Sequence, residues 1–572
     1  MSKRIVAGLS ALLIASLSIA NAAEPDAPPS RPNILLILAD DLGYSDLGCY
    51  GGEIRTPQLD ALASNGLRFT QAYNSSRCCP SRASLLTGLY PHQAGIGHFV
   101  GNGRLPGYRG RLTDRCVTLP EVLSRAGYGT YMAGKWHVNE PGPIERGFDE
   151  FYGFVHGYGV DSWNPRMMIR LPADRPRREY GEGEYFATDA LTDHALDFLE
   201  IAREEDKPWF LYVAYQAPHF PVQAPPELTA TCTEIYERGW DVLRAERFER
   251  MKRLRLIDDS IELPPRGPID RVDVARRLGS MTEDGRNPAW ESLDAGRRAD
   301  LARRMAVYAA MVGNMDANIG RLVESLRAHD ELENTLILFL SDNGACAEWE
   351  PFGFDLDAAD YRNNRPGHGV DGATPQKPNV LHTGEALEAM GGPGSLFSYG
   401  CAWANLSNTP LSFYKHYAHE GGIRTPMIAH WPARITDQGA LRSQVAHVMD
   451  LMATFLDVAD TEYPVTYNGR ELLPMEGRSL LPAFANQEWS EPRALVFEHE
   501  RNVAVREGDW KLVAHDVIRR DGLRPDPAWE LYDLGRDPVE QRNVASEHPD
   551  QVERLSRMFL EEARRTLVLP AP

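Results

Sequence analysis

One stretch near the start of the chain, residues 33–41 with the sequence NILLILADD, decides the fold that we expect. An apolar run that ends abruptly in Asp40 and Asp41 is typical of a central parallel strand, because such a strand is covered on both faces. Three later stretches have the same form: TYMAG at 130–134, WFLYVAY at 209–215 and TLILFL at 335–340. The sequence therefore predicts four buried strands that each end in polar residues.

Helices are predicted between these strands. Thr56 and Pro57 are typical of a helix start, and that helix should stop near Gly66. Apolar residues spaced by three or four positions between Tyr308 and Leu326 indicate another helix that faces the core. Alternating strands and helices predict an α/β fold with a mostly parallel central sheet flanked by helices. Ligands of such sheets bind beyond the carboxyl ends of the strands, so we expect one site built from four strand ends.

The pattern changes near residue 493. Residues 494–497, 503–505, 510–514 and 529–534 are short strand candidates separated by turn residues, and an amphipathic helix follows from about residue 551. This order predicts a smaller C-terminal antiparallel sheet with a terminal helix. We therefore divide the chain into a large α/β domain at 31–490 and a small C-terminal α+β subdomain at 491–572.

Residues 1–22 have the features of a secretory signal peptide. Lys3 and Arg4 precede a short apolar stretch, and small residues at 20–22 form a cleavage site. The alternative is an uncleaved membrane anchor, but the apolar stretch is too short to span a bilayer comfortably. We expect a periplasmic or secreted protein that is cleaved near Ala22 and has no later membrane-spanning segment.

The formal charge of the chain argues against two classes of partner. Loss of the signal peptide removes two positive charges and no negative ones, so the charge moves from −20 to −22. Such a surface repels nucleic acid and anionic membranes, and we expect neither as a partner. An anionic substrate must then be held by a local cationic pocket.

The cysteine count is odd. An exported chain with seven cysteines raises the question of what the unpaired one does. If Cys78 is chemically converted, six remain, which allows up to three disulfides of undetermined pairing. The alternative is that several of them are buried thiols. Their spacing is not that of a zinc site.

The most informative segment is CCPSRASLLTG at residues 78–88. Pro80 is suited to the first position of a helix and Gly88 to its C-terminal cap, so Cys78 should lie just before a helix N-terminus. Unpaired backbone N–H groups favour an anion at that position. Arg82, one turn further, is placed to reach either the anion or the side chain of residue 78.

This segment resembles the signature of the type I sulfatases, Cys-x-Pro-Ser-Arg followed by Ala-x-Leu-Leu-Thr-Gly, and matches it throughout. The resemblance is closest to the bacterial arylsulfatases and implies an alkaline-phosphatase-like fold. It also implies that Cys78 is oxidised to formylglycine, an aldehyde, by a formylglycine-generating or sulfatase-maturating enzyme. A thiol nucleophile or a packing residue at Cys78 is the alternative.

The resemblance implies a metal site as well. Residues 33–43 are similar to the opening strand of the family, and SDNG at 341–344 is similar to its second metal-binding strand end. The implied ligands are Asp40, Asp41, Asp342, Asn343 and an oxygen of modified residue 78. A set of oxygen donors that are mostly carboxylates suits Ca²⁺, with Mg²⁺ as the second choice.

The remaining matches are cationic residues. GKWH at 134–137 supplies Lys135 and His137, APH at 217–219 supplies His219, and Lys415 precedes the EGGIR segment at 420–424. With Cys78 and Arg82, these are the implied catalytic residues. Residues 346–405 do not match the family residue by residue, and we expect loops there that lie near the cleft and shape substrate choice.

The implied activity is hydrolysis of a sulfate monoester, either a small aryl sulfate or a sulfated saccharide, to an alcohol or phenol and inorganic sulfate. One rival is a phosphodiesterase or phosphonate monoester hydrolase of the same superfamily. Another is a non-catalytic binding protein on the same scaffold, which would lack at least one of the catalytic residues. The sequence has all of them.

Overall fold

A computed structural model describes residues 31–572, apart from residues 102, 271–274, 277–279, 349, 358–375 and 490–492. The predicted signal peptide at 1–22 lies outside the described residues, as does part of the predicted loop region at 346–405. Residues Pro32–Pro572 pack as one compact unit.

A ten-stranded sheet forms the centre of the structure, and the four predicted strands lie side by side within it. Its strands are β1 Asn33–Ala39, β2 Leu67–Tyr73, β3 Gly129–Lys135, β4 Glu150–Phe154, β5 Ile169–Leu171, β6 Trp209–Ala214, β7 Thr335–Ser341, β8 Arg424–His430, β9 Ala440–Arg442 and β10 Ala446–His447. The order is β9-β2-β8-β7-β1-β6-β3-β4-β5, and β10 also pairs with β2. The pairs β7–β1, β1–β6, β6–β3 and β3–β4 are parallel, whereas β8 runs antiparallel to both of its neighbours. The predicted fold class is confirmed.

The alternating side chains of β1 show why its whole length is apolar. Leu35 and Ile37 pack into the core on one face of the sheet, and Leu36 and Leu38 pack into the core on the other. A strand covered on both faces has no solvent-exposed position for a polar residue. The continuous apolar run is therefore the expected sequence of this strand.

Helices cover both faces. The longer helices are α1 Pro57–Ser64, α2 Cys78–Thr87, α3 Leu119–Arg125, α4 Ala187–Glu205, α5 Trp240–Arg253, α6 Ala295–Ala328, α7 Asp450–Val458 and α8 Pro549–Arg565. Shorter helices are Pro226–Ala230, Thr233–Tyr236, Glu385–Glu388, Cys401–Ser407, Glu420–Ile423 and Leu481–Phe484. The apolar side chains of α4 and α6 belong to one core cluster, and those of α2, α3 and α7 belong to the other.

The start of α1 differs in one detail from the expectation. Thr56 is the N-cap residue, but its side chain does not cap the helix. Asp316 of α6 does so instead, because its carboxylate accepts hydrogen bonds from the backbone N–H groups of Gln58 (3.1 Å) and Leu59 (2.8 Å). A capping group that is distant in sequence has no local signal.

The C-terminal region contains the predicted antiparallel sheet. Its strands are β11 Ala494–His499, β12 Asn502–Glu507, β13 Trp510–Ala514 and β14 Glu530–Asp533, and α8 packs against it. Two-stranded ladders join Phe354–Leu356 to Gln376–Pro378, Thr466–Tyr467 to Arg470–Glu471, and Ile518–Arg519 to Gly522–Leu523. The domain boundary at residue 490 remains a prediction.

All seven cysteines are free thiols, so the disulfides that the count allowed are not formed in this structure. Five of them, Cys78, Cys79, Cys116, Cys346 and Cys401, are buried, and burial of this kind is common for free cysteine. The alternative of buried thiols therefore describes them better.

Over the described residues, the helices lack the combination of length and apolar character that a bilayer span requires.

Candidate active site

The carboxyl ends of four adjacent strands, in the order β7-β1-β6-β3, meet at one edge of the central sheet. Because these strands are parallel, the residues that come directly after each strand lie at the same edge. Asp40 and Asp41 follow β1, and Asp342 and Asn343 follow β7. Lys135 ends β3, with His137 just beyond it, and His219 comes after β6. The structure therefore brings the predicted strand-end residues together, as their sequence positions required.

The aspartates form a buried cluster of like charges. Asp40, Asp41 and Asp342 are each exposed by 1% or less. Burial raises the pKa of Asp40 well above its ordinary value, and the charge of Asp342 raises it further. Charges of the same sign are stable at this density only when opposite charges compensate them.

The compensating charges come from three separate parts of the chain. The Lys135 ammonium donates to the Asp40 carboxylate (2.5 Å) and to the Tyr158 carbonyl oxygen (2.6 Å). The Lys415 ammonium donates to the Asp41 carboxylate at 3.0 Å. Burial alone would raise the pKa of Asp41, but His219 and Lys415 lower it to about 2, so this carboxylate stays ionised.

Arg82 supplies the third compensating charge. Its guanidinium donates to the same oxygen of Asp342 through Nε (2.9 Å) and a terminal nitrogen (2.7 Å), and to the Lys135 carbonyl oxygen (2.7 Å). Its side chain is fully buried. The roles that the sequence left open for Arg82, contact with an anion or with residue 78, stay predictions. Arg82 fixes the orientation of Asp342 and the end of β3.

Cys78 is the first residue of α2 and is 1% exposed. The helix therefore begins two residues before Pro80, which was predicted to be its first residue, whereas Gly88 adopts the expected left-handed C-cap conformation (φ 70°). Burial alone would raise the pKa of the Cys78 thiol, but a hydrogen bond with Cys79 and the charge of Lys135 lower it well below its ordinary value. A helix N-terminus and nearby cations both favour negative charge at this position.

One histidine lies beside Cys78 and a second lies beside the carboxylate cluster. A ring nitrogen of His137 lies within 4.8 Å of the sulfur atoms of Cys78 and Cys79. The Nδ1 of His219 donates a hydrogen bond to the Phe220 carbonyl oxygen at 2.5 Å. The other ring nitrogen, Nε2, therefore faces the cluster and lies 3.4 Å from the Lys415 ammonium. Burial lowers the pKa of His137 to about 4 and that of His219 to about 3.

The cluster fits a hard divalent cation. Oδ1 of Asp40 and Oδ1 of Asn343 are buried oxygens without a hydrogen-bond partner, whereas the amide nitrogen of Asn343 donates to Asp41 (2.6 Å). An unpartnered buried oxygen is costly in a folded protein, and a cation would satisfy both. Carboxylate and amide oxygens are the donors that Ca²⁺ and Mg²⁺ prefer.

Sequence reasoning missed several side chains beside the predicted residues. Glu348 lies 3.6 Å from the Lys415 ammonium and 2.8 Å from Nε2 of His416. Arg77 forms an ion pair with Glu500 at 3.0 Å. Arg77 and His416 could have been found from the sequence, because they are adjacent to the predicted residues Cys78 and Lys415. Glu348 lies in the region that did not match the resembled family, and Glu500 lies in the C-terminal sheet. The sequence therefore contains no signal that either residue lies near the site.

Comparison with known protein families gives two matches. The family model described as "Sulfatase" matches residues 32–461. The model described as "N-sulphoglucosamine sulphohydrolase, C-terminal" matches residues 411–565. The first match spans all ten predicted catalytic and metal-binding residues, from Asp40 to Lys415.

Individual relatives carry related names. The chain is 32% identical to "Uncharacterized sulfatase PB10D8.02c" of Schizosaccharomyces pombe, with 96% of each sequence covered. It is 32% identical to an arylsulfatase of Klebsiella aerogenes, with 84% of this chain and 96% of that one covered. Among solved structures, Ps i-CgsB in complex with k-i-k-neocarrahexaose shares the fold, with a TM-score of 0.60, 24% identity and 93% of each chain covered.

The three bonds of Arg82 generate a prediction about stability. Arg82→Met keeps the side-chain volume but leaves Asp342 buried without its cation, so we expect a loss of about 3–5 kcal/mol in the free energy of unfolding. Denaturant unfolding in the presence of a chelator measures this loss, because no added cation can then replace Arg82. Arg327→Met is the matched control, since Arg327 pairs with Glu324 at the surface, and it should cost no more than about 1 kcal/mol. Equal losses in the two variants would contradict the compensating role of Arg82.

Proposed function

This chain belongs to the sulfatase family and is a sulfuric ester hydrolase, and from that premise we propose that it acts through an aldehyde formed from Cys78 with a calcium ion at its carboxylate cluster. The reaction is the hydrolysis of a sulfate monoester by water to an alcohol or phenol and inorganic sulfate. One observation carries the proposal. Cys78 lies at the N-terminus of α2, within one helical turn of Arg82, which holds Asp342 of the cluster.

In this proposal the sulfur of Cys78 stands where the attacking oxygen of the converted residue would be. A hydrated aldehyde supplies an oxygen nucleophile, and a divalent cation offsets charge on the sulfate oxygens. The donors Asp40, Asp41, Asp342 and Asn343 would hold the cation, together with an oxygen of residue 78. Oxygen-only donors favour calcium, with magnesium as the second choice.

The cationic side chains bind and orient the sulfate. Lys135 and Lys415 contact different carboxylates of the cluster, at 2.5 Å from Asp40 and 3.0 Å from Asp41. Together with the backbone N–H groups at the start of α2, they surround an anion attached at residue 78. Their side chains are at most 2% exposed, so the reacting group is screened from bulk water.

Four side chains move protons. Asp342, next to Cys78, accepts the proton of the attacking hydroxyl group. His219 and Lys415, whose nitrogens are 3.4 Å apart, act as a pair that protonates the departing oxygen. His137, beside Cys78, removes a proton from residue 78 in the later step that releases sulfate.

The substrate is an aryl sulfate or a sulfated saccharide. The name of the Klebsiella relative supports the former, and the oligosaccharide complex of the similar solved structure supports the latter. A formylglycine-generating or sulfatase-maturating enzyme is the implied partner, because Cys78 must be oxidised. Cleavage near Ala22 and a periplasmic or secreted location follow from the signal-peptide features of residues 1–22.

Conversion of Cys78 is tested directly by mass spectrometry. Peptides of the active protein should contain an aldehyde at residue 78, and Cys78→Ala should abolish sulfate ester turnover because it leaves no oxygen nucleophile. Cys79→Ala is the matched control and should retain the aldehyde. A fully active protein with an unmodified thiol at residue 78 would refute the proposal, and faster turnover of a phosphodiester than of nitrophenyl sulfate would assign it to the rival activity.

Metal identity is tested by removal and replacement. Treatment with a chelator should suppress turnover, and calcium should restore it best, because every proposed donor is an oxygen. Asn343→Leu keeps the side-chain volume but removes one donor, and we expect calcium affinity, measured by calorimetry, to fall by at least about tenfold. Asp258→Asn, an exposed acidic residue outside the site, is the control. Restoration by zinc alone would show that the donor set has been misassigned.

The histidine roles are tested with two leaving groups. A nitrophenolate leaves without a proton, whereas a sugar alkoxide needs one, and acid catalysis typically contributes about a hundredfold or more. His219→Ala should therefore reduce kcat/KM for a sugar sulfate about a hundredfold more than for nitrophenyl sulfate. His137→Ala should instead lower kcat for both esters alike, because its step follows the departure of the alcohol. Equal losses of kcat/KM on both esters in His219→Ala would contradict the assignment.

A further inference from the structure

A second group of charged side chains lies between the buried site and solvent, and we name it the mouth cluster. It consists of Arg77, His98, His416, His499 and Glu500. The side chains of His98 and Glu500 are 48% and 34% exposed, whereas those of the catalytic residues are almost fully buried. The mouth cluster is therefore the part of this region that an incoming substrate meets first.

Two contacts join the mouth cluster to the site. The ring of Phe99 lies edge-on to His137, with ring centroids 5.4 Å apart, and the Arg77 guanidinium lies 4.7 Å above the same ring. On the other side, Glu348 bridges Lys415 (3.6 Å) and His416 (2.8 Å). The leaving group of a sulfate ester that residue 78 attacks would therefore lie close to the mouth cluster.

The full positive charges here are already paired. Arg77 forms its ion pair with Glu500, and Lys415 lies between Asp41 and Glu348. Burial would raise the pKa of Glu500, but His416, His499 and Arg77 lower it well below its ordinary value, so it remains an anion. The Arg77 guanidinium is therefore already engaged by a carboxylate and is not free to bind a second anion.

The histidines and Glu500 are also residue types that bind metal ions. The Arg77 guanidinium, however, lies 3.0 Å from Glu500 and 3.4 Å from Nδ1 of His416. A positive charge within hydrogen-bond distance of two of the ligand atoms opposes a metal cation at the same point. The arrangement thus favours recognition of a substrate over binding of a second metal.

Resting on the proposed function, we propose that the mouth cluster selects sulfate esters whose leaving group is uncharged, and rejects those that carry a second sulfate or a carboxylate near the ester. A second anion would have to break the Arg77–Glu500 pair or lie beside the Glu500 carboxylate. Like charges placed together in this way are a common means of excluding the wrong ligand. Glu500 is then a specificity-determining residue of the site.

A matched pair of fluorogenic esters tests this inference. The sulfates of 7-hydroxy-4-methylcoumarin and of 7-hydroxycoumarin-4-acetic acid have the same coumarin ring with the ester at position 7, but only the second carries a carboxylate. We expect the kcat/KM of the wild-type protein to be at least about tenfold lower for the carboxylated ester. The difference should shrink at high salt, because screening weakens repulsion between partly exposed charges.

In Glu500→Gln, the kcat/KM of the uncharged ester divided by that of the carboxylated ester should fall at least about threefold. The reason is that the substitution releases Arg77 to bind the added carboxylate. A merely structural role of Glu500 would lower both values together and leave their ratio unchanged. Glu561→Gln, an exposed residue of α8, makes the same change in net charge and should not alter the ratio. Equal kcat/KM for the two esters in the wild-type protein, or an unchanged ratio in Glu500→Gln, would overturn the inference while the neutral ester is still hydrolysed. Failure to hydrolyse the neutral ester would overturn the proposed function, and this inference with it.

Discussion

The burial of three carboxylates at one edge of the sheet is the constraint on which the rest of the structure depends. Asp40, Asp41 and Asp342 are withdrawn from water at the ends of adjacent strands, where each raises the cost of ionising the others. Uncompensated charges of this kind would unfold the protein. The positions of Arg82, Lys135 and Lys415 are therefore a requirement of the fold as well as a property of the site.

The compensation also connects distant parts of the chain. Lys135 joins the end of β3 to the end of β1, Arg82 joins α2 to β7, and Lys415 brings the segment before β8 to β1. Arg82 and Cys78 are one helical turn apart in α2, so the side chain that holds Asp342 also sets the position of residue 78. In this protein the same contacts hold the strand ends together and arrange the chemistry.

The sequence predicted the centre of the fold well because the constraint there is local. A strand buried on both faces must be apolar throughout, and polar residues that directly follow it lie at the edge of the sheet. The sequence therefore predicted both β1 and β7 and the aspartates that follow them. The C-terminal strands were visible for a similar reason, through short runs between turn residues. The order of strands in the sheet was not, because pairing is decided by contacts between residues far apart.

The errors and omissions have the same physical origin. The capping of α1 by Asp316, the attachment of Arg82 to Asp342 and the pair of Arg77 with Glu500 all join residues that are distant in sequence. A count of cysteines allowed disulfides, but whether two thiols meet depends on the packing of the whole chain, and here they remain free. Local sequence patterns therefore predicted the candidate site residues better than they predicted the side chains that contact those residues.

Cys78 is the first residue of α2, and the hydrogen bonds that hold the surrounding elements together run between Arg82, the lysines and the aspartates. Because these contacts do not pass through residue 78, we expect the fold to form without the converted side chain. Under the proposed chemistry, molecules that escape conversion would fold and purify with the others and yet be inactive. The specific activity of a preparation would then report the fraction of molecules that have been matured, and a titration of active centres would be needed before turnover numbers from different expression hosts could be compared.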